Sequence, residues 1–134
     1  MDEKRLGSLP LFTSLSKAER RKVAQWADEV DVPEGKELVR EGEFPYEFFV
    51  IEEGTADVRV GERSVGTLGQ GDFFGEMGLV EHVRRRATVV ATSPLTAMVM
   101  TGGAFREMGR EMPAVEERIR AAVEERCRAL DVPV

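Results

Sequence analysis

Between Glu29 and Met100 the apolar residues come in short runs broken by glycine, and on either side of that stretch they recur at helical spacing. The runs Val30-Asp31-Val32, Glu37-Leu38-Val39, Phe48-Phe49-Val50-Ile51, Ala56-Asp57-Val58-Arg59-Val60, Val65-Gly66-Thr67-Leu68, Thr88-Val89-Val90-Ala91 and Thr96-Ala97-Met98-Val99-Met100 read as strands. Nine of the thirteen glycines lie between Gly35 and Gly78, where those runs must turn. Ahead of the strands, Ser8-Leu9-Pro10-Leu11-Phe12 reads as a turn packed on the core, because its proline interrupts any helix. Ser16-Lys17-Ala18-Glu19 has capping-box spacing, so a helix follows, with Val23, Trp26 and Ala27 on one face and Arg20, Arg21 and Lys22 on the other. Trp26 on that face is expected in the core. Behind the strands, residues 104–111 form one helix, and Pro113, allowed in a first turn, opens another reaching about residue 129. Along it Val115, Ile119, Ala122, Val123, Cys127 and Leu130 share a stripe.

Many short strands with frequent turn signals predict a mainly β fold, a sandwich or jelly-roll barrel, flanked by an N-terminal helix and two C-terminal helices. At 134 residues the chain is expected to be one domain with a real core. Its expected parts are a helical segment over 1–28, the barrel over 29–101 and the closing helices over 104–130.

The stretch 71–91 carries the chemistry: Gly-Asp-Phe-Phe-Gly-Glu-Met-Gly-Leu-Val-Glu-His-Val-Arg-Arg-Arg-Ala-Thr-Val-Val-Ala. Backbone N–H groups opening a short helix attract an anion, and glycines let it approach because no Cβ intervenes. Gly75, Glu76 and Met77 are placed to open such a turn. Arginines Arg84, Arg85 and Arg86 follow, and each charge-assisted bond from a guanidinium to phosphate is worth roughly 1.5–3 kcal/mol net. The Glu76 carboxylate would be repelled by phosphate, so sugar hydroxyls are its natural donors. The expected ligand therefore carries a phosphate and a ribose.

This stretch resembles the phosphate-binding cassette of the cyclic nucleotide-binding domain family, to which catabolite activator protein and the regulatory subunit of protein kinase A belong. The family pattern runs Phe-Gly-Glu, an apolar residue, Ala or Gly, Leu, and then Arg, a small residue, Ala, and Thr or Ser. Here it reads Phe74-Gly75-Glu76-Met77-Gly78-Leu79 and Arg85-Arg86-Ala87-Thr88-Val89. The likeness extends to the glycine turns at Gly42, Gly54 and Gly71-Asp72 and to both sets of flanking helices. It implies a double-stranded β-helix (jelly-roll) barrel that binds a cyclic nucleotide. It further implies that Glu76 accepts from the ribose 2′-hydroxyl, that Arg85 pairs with the cyclic phosphate, and that N–H groups of Gly75, Glu76, Ala87 and their neighbours complete the cradle. One position departs: the family has a small residue after the arginine, and this chain has Arg86. A loop one residue longer would give the phosphate to Arg86, but only Arg85 keeps Ala87 and Thr88 on pattern. In the family a Thr at the position of Arg86 favours cGMP, so its absence favours cAMP.

Composition narrows the rest. A formal net charge of −6 repels polyanions, so direct nucleic-acid binding is not expected, while a local cluster still attracts a small anion because distant charges are screened beyond about 10 Å. The one cysteine, Cys127, allows no intramolecular disulfide and fits a reducing, cytoplasmic setting, and no long apolar stretch suggests a membrane span. The one histidine, His82, reads as a loop residue, and with a single cysteine it cannot complete a usual zinc site. No metal or cofactor is expected. Glu52-Glu53 and Glu124-Glu125 lack calcium-loop spacing and read as solvated charge. No serine stands in a nucleophile elbow, and no catalytic set is found, so an enzyme is not expected.

The functional expectation is a stand-alone cyclic nucleotide sensor signalling to an unidentified downstream protein through its C-terminal helices. Rivals are the effector part of a Crp/Fnr-type transcription regulator and a ligand-free interaction module. The stripe on the last helix leaves two occupants open, the chain's own barrel or a second copy.

Overall fold

The computed structural model describes residues 1–75 and 84–130, and within them every side chain except those of Val123 and residues 126–130. Helix α1 (Glu3–Gly7), a 3-10 turn (Pro10–Phe12) and helix α2 (Lys17–Trp26) precede the strands. The strands are β1 (Ala27–Val32), β2 (Glu37–Val39), β3 (Glu47–Glu53), β4 (Ala56–Val60), β5 (Arg63–Leu68), β6 (Phe73–Phe74), β7 (Thr88–Ala91) and β8 (Leu95–Thr101). Helices α3 (Gly102–Glu111) and α4 (Pro113–Leu130) close the described chain.

The strands form two antiparallel four-stranded sheets, ordered β1-β8-β3-β6 and β2-β7-β4-β5. Two sheets face to face are the double-sheet form of a jelly roll. The first sheet is buried on both sides, and β3 shows how. Successive side chains of a strand point to opposite faces. Phe48 and Val50 join Met98 and Met100 under the helices, with Leu6, Phe12, Val23, Phe105 and Met108. Phe49 and Ile51 face the second sheet, against Val58, Phe74, Val89 and Val99. Phe48 and Phe74 are wholly buried, each contributing about 1.5–3 kcal/mol relative to an exposed side chain. The result is three layers: helices, first sheet, second sheet.

Turn chemistry fixes the connections. Gly54 has φ +96°, and a Cβ there would stand 2.5 Å from the carbonyl oxygen of Pro94, so only glycine lets the β3–β4 turn pass beneath residues 94–95. The Asp72 carboxylate accepts from the Gly69 N–H at 2.8 Å, while Ile51 N–H donates to the Asp72 carbonyl at 2.8 Å. This turn delivers the chain to β6.

The helical expectations hold with small shifts. The capping box is present: Ser16 Oγ accepts from Glu19 N–H and Glu19 Oε1 accepts from Ser16 N–H. Val23 and Ala24 are buried on α2 and Trp26 is half-buried against the core. Ala27, expected on the helix face, is instead the first residue of β1, where it pairs with Met100. Pairing with β8 extends β1 back through Ala27-Asp28-Glu29, which have no strand character of their own. Helix α1 and strand β6 were not expected, since five residues with one buried leucine and a two-residue strand carry no readable period. Among the described residues, no helix is long and apolar enough to cross a membrane.

Candidate functional site

Strand β6 pins the start of the candidate cassette to the first sheet. Phe73 and Phe74 pair with Val50 and Phe49 of β3, and the rings of Phe49 and Phe74 stack with centroids 4.9 Å apart. Gly75 follows at φ +95°, a conformation costly for any other residue. A Cβ on Gly75 would come within 2.6 Å of the Glu47 carbonyl oxygen and 3.2 Å of Arg85 Nη1.

Arg85 is the side chain that fills this place. Its backbone is clamped to the loop before β3: Arg85 N–H donates to the Glu43 carbonyl and Gly42 N–H donates to the Arg85 carbonyl, both at 2.8 Å. The clamp turns the Arg85 side chain inward, where it is buried. Nη1 donates to the Gly75 carbonyl and Nη2 to the Glu47 carbonyl, each at 2.6 Å. Two of the five guanidinium donors thus hold the group in a fixed orientation.

The neighbouring arginines point the other way. Arg84 is exposed, lies 4.1 Å over the Phe44 ring and donates to the Gly42 carbonyl at 2.9 Å. Arg86 is exposed, and Ala87 is buried. Burial therefore alternates along 84–87, with Arg84 and Arg86 exposed and Arg85 and Ala87 buried. Thr88 Oγ1 accepts from the Glu41 N–H at 3.0 Å.

Of the expected site residues, Gly75 and Arg85 come together directly, Ala87 lies inward and Arg86 outward. Glu76, Met77, Gly78, Leu79 and His82 lie outside the described residues. Glu43, Gly42 and Glu47 are partners that the sequence does not disclose. Each acts through its backbone, so no side-chain identity marks it. Among the described residues no group of three or more potential ligands is placed to hold a metal.

The helices near this site are already engaged. Val115 and Ile119, the first half of the α4 stripe, are buried in the chain's own core. Arg118 donates to the Leu11 carbonyl at 3.1 Å and to Ser14 Oγ, tying α4 to the 3-10 turn. Arg120 pairs with Glu116 on the helix surface. The side chain of Arg126, further along the same helix, lies outside the described residues.

The sequence profile described as the cyclic nucleotide-binding domain matches residues 29–111. A cAMP-dependent protein kinase regulatory subunit of Mycosarcoma maydis is 37% identical over 125 residues, covering 87% of this chain and 24% of the relative. The cAMP-bound structure of PfPKA-R superposes with a TM-score of 0.85 at 25% identity, over 96% of this chain and 45% of that one. The catabolite activator protein of Thermus thermophilus shares the fold, with a TM-score of 0.78 at 24% identity over 91% of this chain and 60% of that one. This chain belongs to the cyclic nucleotide-binding domain family. It spans between 11% and 29% of the length of the curated relatives it matches.

Proposed function

We propose that this chain is a non-catalytic regulatory module that binds a cyclic purine mononucleotide, cAMP in preference to cGMP. Arg85 pairs with the cyclic phosphate, and Glu76 accepts from the ribose 2′-hydroxyl. N–H groups of Gly75, Glu76 and Ala87 complete the cradle, with Met77, Gly78, Leu79 and Thr88 around it. Binding passes through α3 and α4 to a downstream protein or a second copy.

The observation that carries this reading is the opposite orientation of two adjacent arginines. Arg85 is buried and aimed at Gly75, with its fork fixed by two carbonyls, while Arg86 faces solvent. A guanidinium fixed before a ligand arrives loses little entropy on meeting a phosphate. The kinase regulatory subunits among the relatives support cAMP as the ligand.

The same two carbonyl bonds favour a second reading. A guanidinium that ties Gly75 to Glu47 has a structural use with no ligand at all, as a ligand-free interaction module would need. Calorimetric titration with cAMP, cGMP and 2′-deoxy-cAMP separates the two. The sensor binds cAMP most tightly and the deoxy ligand clearly more weakly, and Glu76→Gln narrows that gap. Absence of heat with all three ligands, in protein that melts cooperatively, selects the structural module.

A further inference from the structure

Under α1, a carboxyl that the sequence places among solvated charges is buried instead. Glu52 is 6% exposed, and Glu53 beside it is exposed. Glu52 continues the face of Phe48 and Val50 that points to the helices, and the pairing is irregular at it. Ile51 pairs with Ala97 and Glu53 with Thr96, so Glu52 is the extra residue of a bulge between β3 and β8. Its side chain goes to the helix side of the first sheet, under α1.

Three charged groups face it from three elements: Arg5 of α1, Glu29 of β1 and Glu53 of its own strand. Arg5 reaches both neighbouring carboxylates, with Nη1 3.0 Å from Glu29 Oε1 and Nε 3.6 Å from Glu52 Oε1. Glu52 Oε2 is fully buried and accepts no hydrogen bond. A buried charged oxygen without a donor costs several kcal/mol, a cost that protonation removes. A proton on Glu52 would also give the orphan oxygen a bond, with Glu29 as acceptor.

We propose that Glu52 holds a proton toward Glu29 beneath Arg5, and that gaining or losing this proton fastens or loosens α1 on the first sheet. The cleft beside the cluster, about 400 Å³, is lined by Arg5, Ser8, Glu52, Glu53, Gln70 and Gly71. Through Gln70 and Gly71 it borders the turn that delivers the chain to β6.

Burial, with the Glu29 carboxylate alongside, pushes Glu52 up to about 7 against the opposing pull of Arg5. If α1 lifts away, water reaches Glu52 and its affinity for the proton falls toward the ordinary carboxylate range. The docked state therefore binds the proton more tightly. Acidification through neutrality favours docking, and alkalinity opposes it.

The test is a carbon-13 titration of the Glu52 side-chain carboxyl in the full chain, with amide shifts of Arg5, Leu6 and Ser8 followed in the same samples. The expected result is a Glu52 midpoint near 7 with the three α1 amides moving at that midpoint. In Glu52→Gln the amide step disappears, because the amide stays neutral and can still donate to Glu29. In Glu29→Gln the Glu52 midpoint falls toward the ordinary range, since the like charge is gone and a donor has replaced it. An ordinary Glu52 midpoint would overturn the proposal, as would flat α1 amides through the Glu52 titration. A midpoint unmoved by Glu29→Gln, or an amide step retained in Glu52→Gln, would also overturn it.

Discussion

The Phe105 ring of α3 lies against Phe48 of β3, with centroids 4.7 Å apart and planes inclined at 42°. Phe48 in turn meets Phe73 of β6 at 5.8 Å. The three rings link the first closing helix to the strand that ends one residue before Gly75. The Phe73–Phe48–Phe105 contact gives α3 a packed connection to the start of the 71–91 stretch. Phe48→Ala should lower unfolding free energy by about 3–5 kcal/mol, because a wholly buried ring is removed and both contacts go with it. Denaturant unfolding of the purified variant measures it.

Motion along that connection is a separate expectation. If nucleotide draws the cassette inward, amide exchange in α3 and α4 should change at saturating cAMP along with exchange in the cassette. The Arg118 bonds to Leu11 and Ser14 hold α4 in the present arrangement, so Arg118→Ala should enlarge the change in α4. Cassette protection with unchanged exchange over 113–130 would describe a binder without a relay.

Gly75→Ala should damage the site through its backbone. The new Cβ would meet the Glu47 carbonyl at 2.6 Å, and φ +95° is disfavoured for alanine. A loss of about 1–3 kcal/mol in stability is expected, with nucleotide affinity falling as well. A thermal melt and a titration on the same preparation show both effects.

Two carboxyls bend stability with pH in opposite directions. Glu52 binds its proton more tightly in the folded state than its ordinary value of 4.5, so its contribution is lost as pH rises from 4.5 to about 7. Asp57 is held below its ordinary 3.8 by hydrogen bonds from Ser64 and Arg59, so its contribution is present above 3.8 and is lost as pH falls through its lowered folded value. Urea midpoints from acid to neutral pH should therefore decline at both ends. Glu52→Gln should flatten the upper decline, and Asp57→Asn the lower one.

The fold was legible where a strand's own residues decide its fate. Phe48-Phe49-Val50-Ile51 is apolar on both faces because both faces are covered, and Ser16 with Glu19 announces α2 through local hydrogen bonds. It was not legible where other elements decide. Ala27-Asp28-Glu29 become strand because β8 pairs with them, and Glu52, on the helix side of β3 with Phe48 and Val50, is buried because α1 lays Arg5 over it. At the site the cassette pattern pointed to Gly75 and Arg85. The backbone groups of Gly42, Glu43 and Glu47 that hold Arg85 left no mark in the sequence, since a carbonyl or N–H is the same in any residue.

If Arg85, and not Arg86, takes the phosphate of a bound cyclic nucleotide, the two arginines differ in what their loss costs. Calorimetric titration of cAMP into wild type, Arg85→Leu and Arg86→Leu measures this, with thermal melts showing that each variant is folded. Wild type should bind, and Arg85→Leu should lose about tenfold to several hundredfold in affinity, the value of one or two charge-assisted bonds. Arg86→Leu should lose much less. A larger loss in Arg86→Leu than in Arg85→Leu, or equal affinity in all three folded proteins, would contradict it.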